Sequence, residues 1–341
     1  MHSPIHYCSY FDHRYLARAL CLYDSLRTHS PDFVWHVLAL SDTCEQVLNR
    51  LRLPGVEVHS LGQLEAHLPR LLVAKSNRSI VEYYFTLTSS YCHYLLERIP
   101  PHALLTYLDS DLYFFSSPMP IFDEIGSSSI AIIEHRFSEA NRTSLIYGRF
   151  NVGWVSFRND DSGRRCLLDW FEKCFEWCYD RVEEGRFADQ KYLDVWPEQF
   201  DDVHIIQHPG ANVAPWNISD FKMAEKVPGN GPVNVHGDPL VFAHFQNVRA
   251  LGYRTYETGF DVYRISPTVR KAIVDQIYLP YLRQLHRKQR NVTSLLPQTN
   301  QKFERELRHS RQLLADLSLG TLVRFPKKYF EMTRRFNWIS I

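Results

Sequence analysis

The 341-residue sequence predicts an α/β protein with a helical C-terminal extension. Three observations carry this. Short apolar strands alternate with helical periodicity over the first third of the chain. A near-continuous apolar run, Ala103 to Leu108, suits the buried centre of a sheet. Beyond Pro267 the pattern becomes helical and basic. The domain reading is a catalytic α/β domain over 1–265 and a helical, basic-amphipathic extension over 266–341.

The elements follow in order. Ile5 to Tyr10 reads as a strand, and Asp12 is placed to cap a helix whose apolar residues Tyr15, Leu16, Ala19, Leu20, Tyr23 and Leu26 keep helical spacing. Ser30-Pro31-Asp32 breaks it, and Phe33 to Leu40 is a second strand. Ser41-Asp42 opens a helix to about Leu53, Pro54-Gly55 closes it, and Val56 to His59 is a third strand. This order predicts parallel strands joined by crossovers. A longer helix is expected from about Arg78 to Arg98, stopped by Pro100-Pro101. Strands follow at 129–133, 152–157, 203–206 and 240–244, with an aromatic-rich helix from Leu167 to Tyr179 and another starting at Asp189.

Composition excludes some classes. Lys and Arg number 39 against 38 Asp and Glu, so the chain lacks the excess of positive charge with which nucleic-acid binders cover phosphates. No apolar run reaches the length of a membrane span. Met1 to His6 has neither a basic start nor an apolar core, so no secretion signal is expected, and the reading is a cytoplasmic chain with reduced thiols. Seven cysteines without a C-x-x-C pair fit buried structural thiols; Cys174 and Cys178, four apart, make only a sparse metal pattern. The N-x-S/T sequons at Asn77, Asn141, Asn217 and Asn291 read as chance. Residues 301–341 hold nine Lys and Arg against four acids, interleaved with apolar side chains. Such a tail suits the inner face of an anionic membrane, or equally packs on the body with its basic face in water.

Chemistry centres on Asp109-Ser110-Asp111, just past the apolar strand. Two carboxylates one residue apart can hold a divalent cation, and oxygen ligands suit Mg²⁺ or Mn²⁺. Ligands of open α/β sheets bind at such carboxyl ends. A D-x-D alone is cheap, with about one chance match expected in a chain this long; the bland reading is a solvated turn. His244, at the end of an apolar strand, can complete the metal site and would lean it toward Mn²⁺, or can be structural. Asn151 can hydrogen-bond sugar hydroxyls and Gly153 can admit close backbone approach, or both can simply start a strand. Asp189 and Gln190 place a carboxylate and an amide at a helix start, where Asp189 can also be an N-cap. The irregular stretch His208 to Asn217 reads as a ligand-reading loop, involved in acceptor choice.

In this order these pieces resemble a GT-A-fold glycosyltransferase of the bacterial nucleotide-diphospho-sugar transferase kind. The pieces are Tyr10-Phe11-Asp12, Glu82-Tyr83-Tyr84-Phe85-Thr86, Tyr107 to Phe114, Glu134-His135-Arg136-Phe137, Asn151-Val152-Gly153-Trp154, Asp189 to Asp194, Asn212 to Asn217 and His244-Phe245. The resemblance spans about residues 1–260 and implies a mixed sheet flanked by helices. It implies that Asp109, Asp111 and His244 hold Mn²⁺ or Mg²⁺ against a nucleotide-diphospho-sugar donor, with a UDP-sugar favoured. Tyr10, Asp12, Arg78 and Ser110 would lie along the nucleotide and phosphates. Glu134, Asn151, Asp189 and Gln190 would surround the donor sugar, in a retaining transfer to a glycan or lipid-linked glycan. Where those enzymes put a Gly and a Lys after the late His, this chain has Gln246-Asn247-Val248-Arg249, with Arg249 as the candidate replacement.

Two other functions compete. A phosphohydrolase of the haloacid dehalogenase type also places D-x-D after an apolar strand, but wants a Thr where this chain has Tyr113. A non-catalytic nucleotide- or sugar-binding protein would bind donor and turn nothing over.

Overall fold

The computed structural model describes residues 4–30, 32–221, 233–251, 254–296 and 338–341. The chain opens as expected with β1 (Ile5–Phe11), α1 (Leu16–His29), β2 (Phe33–Ala39), α2 (Asp42–Leu51) and β3 (Val56–Ser60). Asp12 does not cap α1. Tyr15 stands at the N-cap with no side-chain hydrogen bond, and the Asp12 carboxylate instead accepts from the Arg14 amide at 2.9 Å, a local turn into the helix.

Two short helices not expected from the sequence follow, α3 (Leu61–His67) and α4 (Arg70–Asn77). The long helix begins after them, as α5 (Ile80–Leu96). Its start is a capping box: Ser79 Oγ accepts from the Glu82 amide, and Glu82 accepts from the Ser79 amide at 2.8 Å. Then come β4 (Leu104–Leu108), β5 (Leu112–Phe114), α6 (Met119–Ile125), β6 (Ile130–Glu134) and β7 (Phe150–Arg158). The aromatic-rich helix α7 (Asp161–Glu176) starts earlier than its apolar pattern, because Asp160 caps it by accepting from Gly163 N at 2.9 Å. The helix expected from Asp189 is a 3-10 turn, Lys191–Val195, leading to α8 (Trp196–Gln199); Asp189 is not its N-cap.

β8 (Val203–Ile206), β9 (Asn234–Val235), β10 (Asp238–Pro239), β11 (Phe242–His244), β12 (Arg249–Ala250) and β13 (Thr255–Glu257) complete the α/β part. The composition change is a helix start. Pro267 opens α9 (Pro267–Ile273), which runs through a π-turn into α10 (Leu279–Leu295), and β14 (Trp338–Ser340) pairs with β13. Most of the basic tail, 297–337, lies outside the described residues, and with it the expected membrane contact. No helix among the described residues is long and apolar enough to cross a membrane.

Seven strands form one mixed sheet in the order β3-β2-β1-β4-β7-β6-β8. The first four are parallel, β7 runs antiparallel to both β4 and β6, and β8 is parallel to β6. This is the mixed α/β architecture that the GT-A resemblance implies. β4 lies at the centre, so its carboxyl end, where Asp109 and Asp111 stand, opens over the middle of the sheet. A small antiparallel pair, β5 with β11, brings His244 opposite Leu112.

Apolar side chains pack on both sheet faces. One cluster joins Leu16, Leu20, Trp35, Trp154, Phe242 and Tyr281; the other joins Leu87, Tyr91, Trp170 and Trp196. The first continues without a break into α10, through Tyr281, Leu282 and Leu285. All seven cysteines are buried free thiols.

Candidate metal centre

Strand alternation explains the first part of the site. Tyr107 and Asp109 are two apart, so they share a side, and Tyr107 Oη donates to Asp109 Oδ1 at 2.9 Å. The turn from β4 to β5 carries Asp109, buried Ser110 and Asp111. Pairing of β11 with β5 then delivers His244: its Nε2 lies 3.0 Å from Asp111 Oδ1 and 3.6 Å from Asp109 Oδ2. One donor atom from each of these three residues lies within 4.8 Å of the others. His244 is 5% exposed, whereas a third of the Asp109 side chain opens to the cleft.

The three side chains tune one another's charge. Burial opposes the charge on Asp111, but the His244 imidazole, its hydrogen bond and the charge of Arg18 outweigh that and hold the carboxyl below its ordinary value. Asp109 is raised, first by the protein enclosing it and then by Asp111, against the pull of His244. His244 is raised as well, because the two carboxylates overcome its burial. Two carboxylates with one imidazole nitrogen match Mg²⁺ or Mn²⁺, and the nitrogen tilts the set toward Mn²⁺. The other ring nitrogen, Nδ1, is buried with no protein partner among the described residues.

Gly153 explains how the imidazole fits. A Cβ at this position would lie 2.5 Å from Asn151 Oδ1 and 3.0 Å from His244 Nδ1. Only glycine leaves both side chains in place. Asn151 is itself fixed. Its Oδ1 accepts from Gly153 N at 3.1 Å, and its amide nitrogen reaches His135 Nε2 at 3.3 Å. His135 Nδ1 donates to the Arg149 carbonyl at 3.2 Å, so in the neutral ring Nε2 is the acceptor. The ring stays neutral, because burial takes its pKa down to about 3.

Tyr10, Tyr84 and Tyr107 form an aromatic wall, with Tyr10 centred 5.7 Å from Tyr107 and 6.4 Å from Tyr84. Behind it stands Asp189, 5% exposed. The Thr88 hydroxyl bonds the Asp189 carboxylate and takes a hydrogen bond from Tyr10 Oη at 3.0 Å. Burial first, with Asp109 adding, pushes the Asp189 carboxyl up to about 7 despite Thr88. The residue before it, Ala188, has φ +47, a left-handed conformation costly for a residue with a Cβ.

Other residues singled out in the sequence have protein partners. Arg78 donates to the Cys174 carbonyl at 2.8 Å and the Phe175 carbonyl at 2.6 Å, closing the end of α7. Glu134 pairs with Arg149. Gln190 Nε2 donates to the Tyr147 carbonyl at 2.9 Å. Arg249 is exposed on β12, opposite Glu257.

The stretch 208–217 is irregular, as its sequence suggests, and it is largely buried. It is a buried brace, with Ala211, Asn212, Val213, Ala214, Trp216 and Asn217 all at most 2% exposed. Val213 O accepts from His244 N at 2.9 Å, and the Trp216 ring meets the His244 ring edge-on at 5.1 Å. Gly210 is required there, since a Cβ would lie 2.0 Å from the Pro239 carbonyl oxygen. Two sequons are structural: Asn141 and Asn217 are buried and donate to the Trp216 and His135 carbonyls respectively. The sequence reading assigned no role to His135, Trp216 or Arg18. Of these, Trp216 and His135 stood inside quoted motifs, but their contacts join segments some 80 residues apart.

Fold and site together define an α/β protein with a candidate divalent-cation centre at the carboxyl end of its central strand. No family model matches the chain. Two curated relatives do, both uncharacterized proteins of Bacillus subtilis (strain 168). YfnD is 30% identical over 302 residues, 86% of this chain and 93% of the relative; YfnF is 31% identical over 251 residues, 71% and 81%. The chain belongs to the family of YfnD and YfnF. Among solved structures it is similar to the galactosyltransferase LgtC in complex with donor and acceptor sugar analogs, at 17% identity and a TM-score of 0.48, over 71% of this chain and 87% of that one. Mouse xyloside xylosyltransferase 1 in its apo form gives 15% identity and a TM-score of 0.42, over 62% and 87%. Likenesses this loose carry no weight for activity.

Proposed function

We propose that the protein is a divalent-metal-dependent glycosyltransferase that moves a sugar from a nucleotide-diphosphate donor, a UDP-sugar in the favoured reading, to a glycan acceptor. The observation that carries this is the convergence of Asp109, Asp111 and His244 Nε2 at the end of the central strand. Those three residues would hold Mn²⁺ or Mg²⁺, which when bound supplies positive charge to a diphosphate as it leaves a sugar.

The chain's own residues have complementary tasks in this reading. Tyr10 and Tyr84, partly exposed and backed by buried Tyr107, offer aromatic faces to a base, with Asp12, whose charge acts on Tyr84, for a ribose. Asn151, held in one orientation by His135, presents its amide beside the metal centre without rotational freedom. Asp189, poised to gain or lose a proton near pH 7, is suited to steadying positive charge at a sugar carbon. Its burial excludes water from that carboxylate. A retaining outcome, with Glu134 and Gln190 at the sugar, belongs to the same proposal. The phosphohydrolase reading is weaker, because a carboxylate engaged with a histidine and a tyrosine is a poor nucleophile, and Tyr113 occupies the position of the expected Thr.

A thermal-shift panel tests the proposal, using UDP, GDP, TDP and CMP, each with Mn²⁺, Mg²⁺ or EDTA. Ligand bound only by the native state raises the melting temperature. One nucleoside diphosphate is expected to raise it in Mn²⁺, with the shift abolished in EDTA and in Asp109→Asn and Asp111→Asn. A shift that persists in EDTA, or none with any nucleotide, rejects it.

A further inference from the structure

Arg249, the candidate for the phosphate contact after the late histidine, is exposed on β12. A different cation is fastened to the turn that follows His244. Arg18, in the first turn of α1, donates from Nη2 to the Val248 carbonyl at 2.6 Å. Val248 belongs to the turn that follows His244: its amide bonds the Phe245 carbonyl, and the Phe245 amide bonds the Asp111 carbonyl at 3.1 Å. Arg18 is thus fastened to the backbone that joins two of the three candidate ligands. Its guanidinium carbon lies 4.6 Å from the centre of the Tyr15 ring. Nε and Nη1 have no protein partner among the described residues, and neither is sealed from solvent.

We propose that Arg18 is the side chain that binds the diphosphate of the donor at the metal centre, in the role for which the sequence offered Arg249. This rests on the glycosyltransferase reading above. In the transfer, the bond from the sugar carbon to the phosphate oxygen breaks with its electron pair on that oxygen. The acceptor hydroxyl oxygen bonds to the same carbon, and its proton passes to the released diphosphate. One additional negative charge develops on the phosphate oxygens as that bond breaks, until the acceptor proton arrives. An arginine stays charged at any working pH, and its planar fork keeps the three N–H donors of Nε and Nη1 after Nη2 is tied to Val248. Tyr15 and the Val248 carbonyl fix the plane, so little side-chain freedom is lost on binding.

The test uses inorganic pyrophosphate with Mn²⁺ as probe, by titration calorimetry, on the full chain. Wild type, Arg18→Gln, Arg18→Lys and Arg249→Gln are compared, and Mn²⁺ binding alone is followed by the free-ion EPR signal. Loss of a charge-assisted hydrogen-bonding partner is expected to weaken pyrophosphate binding about tenfold or more in Arg18→Gln. Arg18→Lys should recover part of it, Arg249→Gln should match wild type, and Mn²⁺ affinity alone should stay within about twofold throughout. Pyrophosphate affinity unchanged in Arg18→Gln overturns the proposal. Equal loss of Mn²⁺ binding also overturns it, because Arg18 then only scaffolds the turn. If wild type binds Mn²⁺ but no pyrophosphate, the glycosyltransferase reading falls, and this inference with it.

Discussion

Gly153, Asn151 and His244 pack so closely that one methyl group decides the geometry of the metal centre. Replacing Gly153 with Ala forces the new Cβ against Asn151 Oδ1 and the imidazole, both walled in by Trp216 and β7. Overpacking of this kind costs about 1–3 kcal/mol. Gly153→Ala is therefore expected to lower the melting temperature and to weaken Mn²⁺ binding about tenfold or more, through displacement of His244 rather than loss of a ligand. Mn²⁺ titration by EPR alongside a thermal melt checks this; unchanged affinity would mean that the imidazole has room to move. The sequence offered the motif Asn151-Val152-Gly153-Trp154 but not the reason for its glycine, because the clashing histidine comes 91 residues later.

At the level of elements, three adjacent parallel strands carry a row of imidazoles. His6 on β1 and His36 on β2 share a hydrogen bond at 3.1 Å, and His36 stacks on His59 of β3 at 6.1 Å. Glu57 lies 3.0 Å from His36 Nδ1 but is not aligned for a hydrogen bond, so burial prevails. Burial first, then its two histidine neighbours, bring the His36 pKa down to about 3, and burial lowers His6 and His59 too. The sign follows from proton counting. Above pH 6.5 both folded and unfolded His36 are neutral, and nothing is lost. Between 6.5 and about 3 the unfolded chain takes up a proton that the folded chain refuses, so stability falls as pH falls, by on the order of 5 kcal/mol over that window. His36→Gln, which retains a hydrogen-bonding partner for His6, is expected to flatten the drop in melting temperature between pH 7.5 and 5. Parallel curves for the two proteins would place the acid sensitivity elsewhere. The strands themselves were legible from their apolar runs, whereas α3 and α4 were not, since neither has a long periodic face.

For the molecule as a whole, the sheet and the C-terminal helices share one core. α10 lies on α1: Lys288 pairs with Asp24 at 2.7 Å, Gln284 donates to the same carboxylate at 3.1 Å, and Tyr113 donates to Gln284 at 3.0 Å. Tyr281 stacks on Phe245 with ring centres 3.7 Å apart, directly behind the turn after His244. Removing everything after residue 265 would expose the partners of Tyr278, Tyr281, Leu282 and Leu285, all at most 2% exposed. Each large apolar side chain lost from a core costs about 2–5 kcal/mol, comparable with the whole stability of many domains. A chain ending at 265 is expected to lose cooperative unfolding and near-ultraviolet circular dichroism; a sharp transition at the full-length temperature would show the α/β part to be self-sufficient.

The sequence by itself determined the strand–helix alternation, the central apolar strand and the position of Asp109 and Asp111 at its end, because these depend on local periodicity and on the fixed direction of the chain through a sheet. It also supplied the candidate set of acids, amides and His244. Only the tertiary structure decided how they are used. Arg78 donates to the carbonyls that end α7, the stretch 208–217 packs Trp216 against His244, and Arg18 fastens to a carbonyl 230 residues away. Side-chain partners across such separations are set by strand order and packing, which no local pattern of residues encodes.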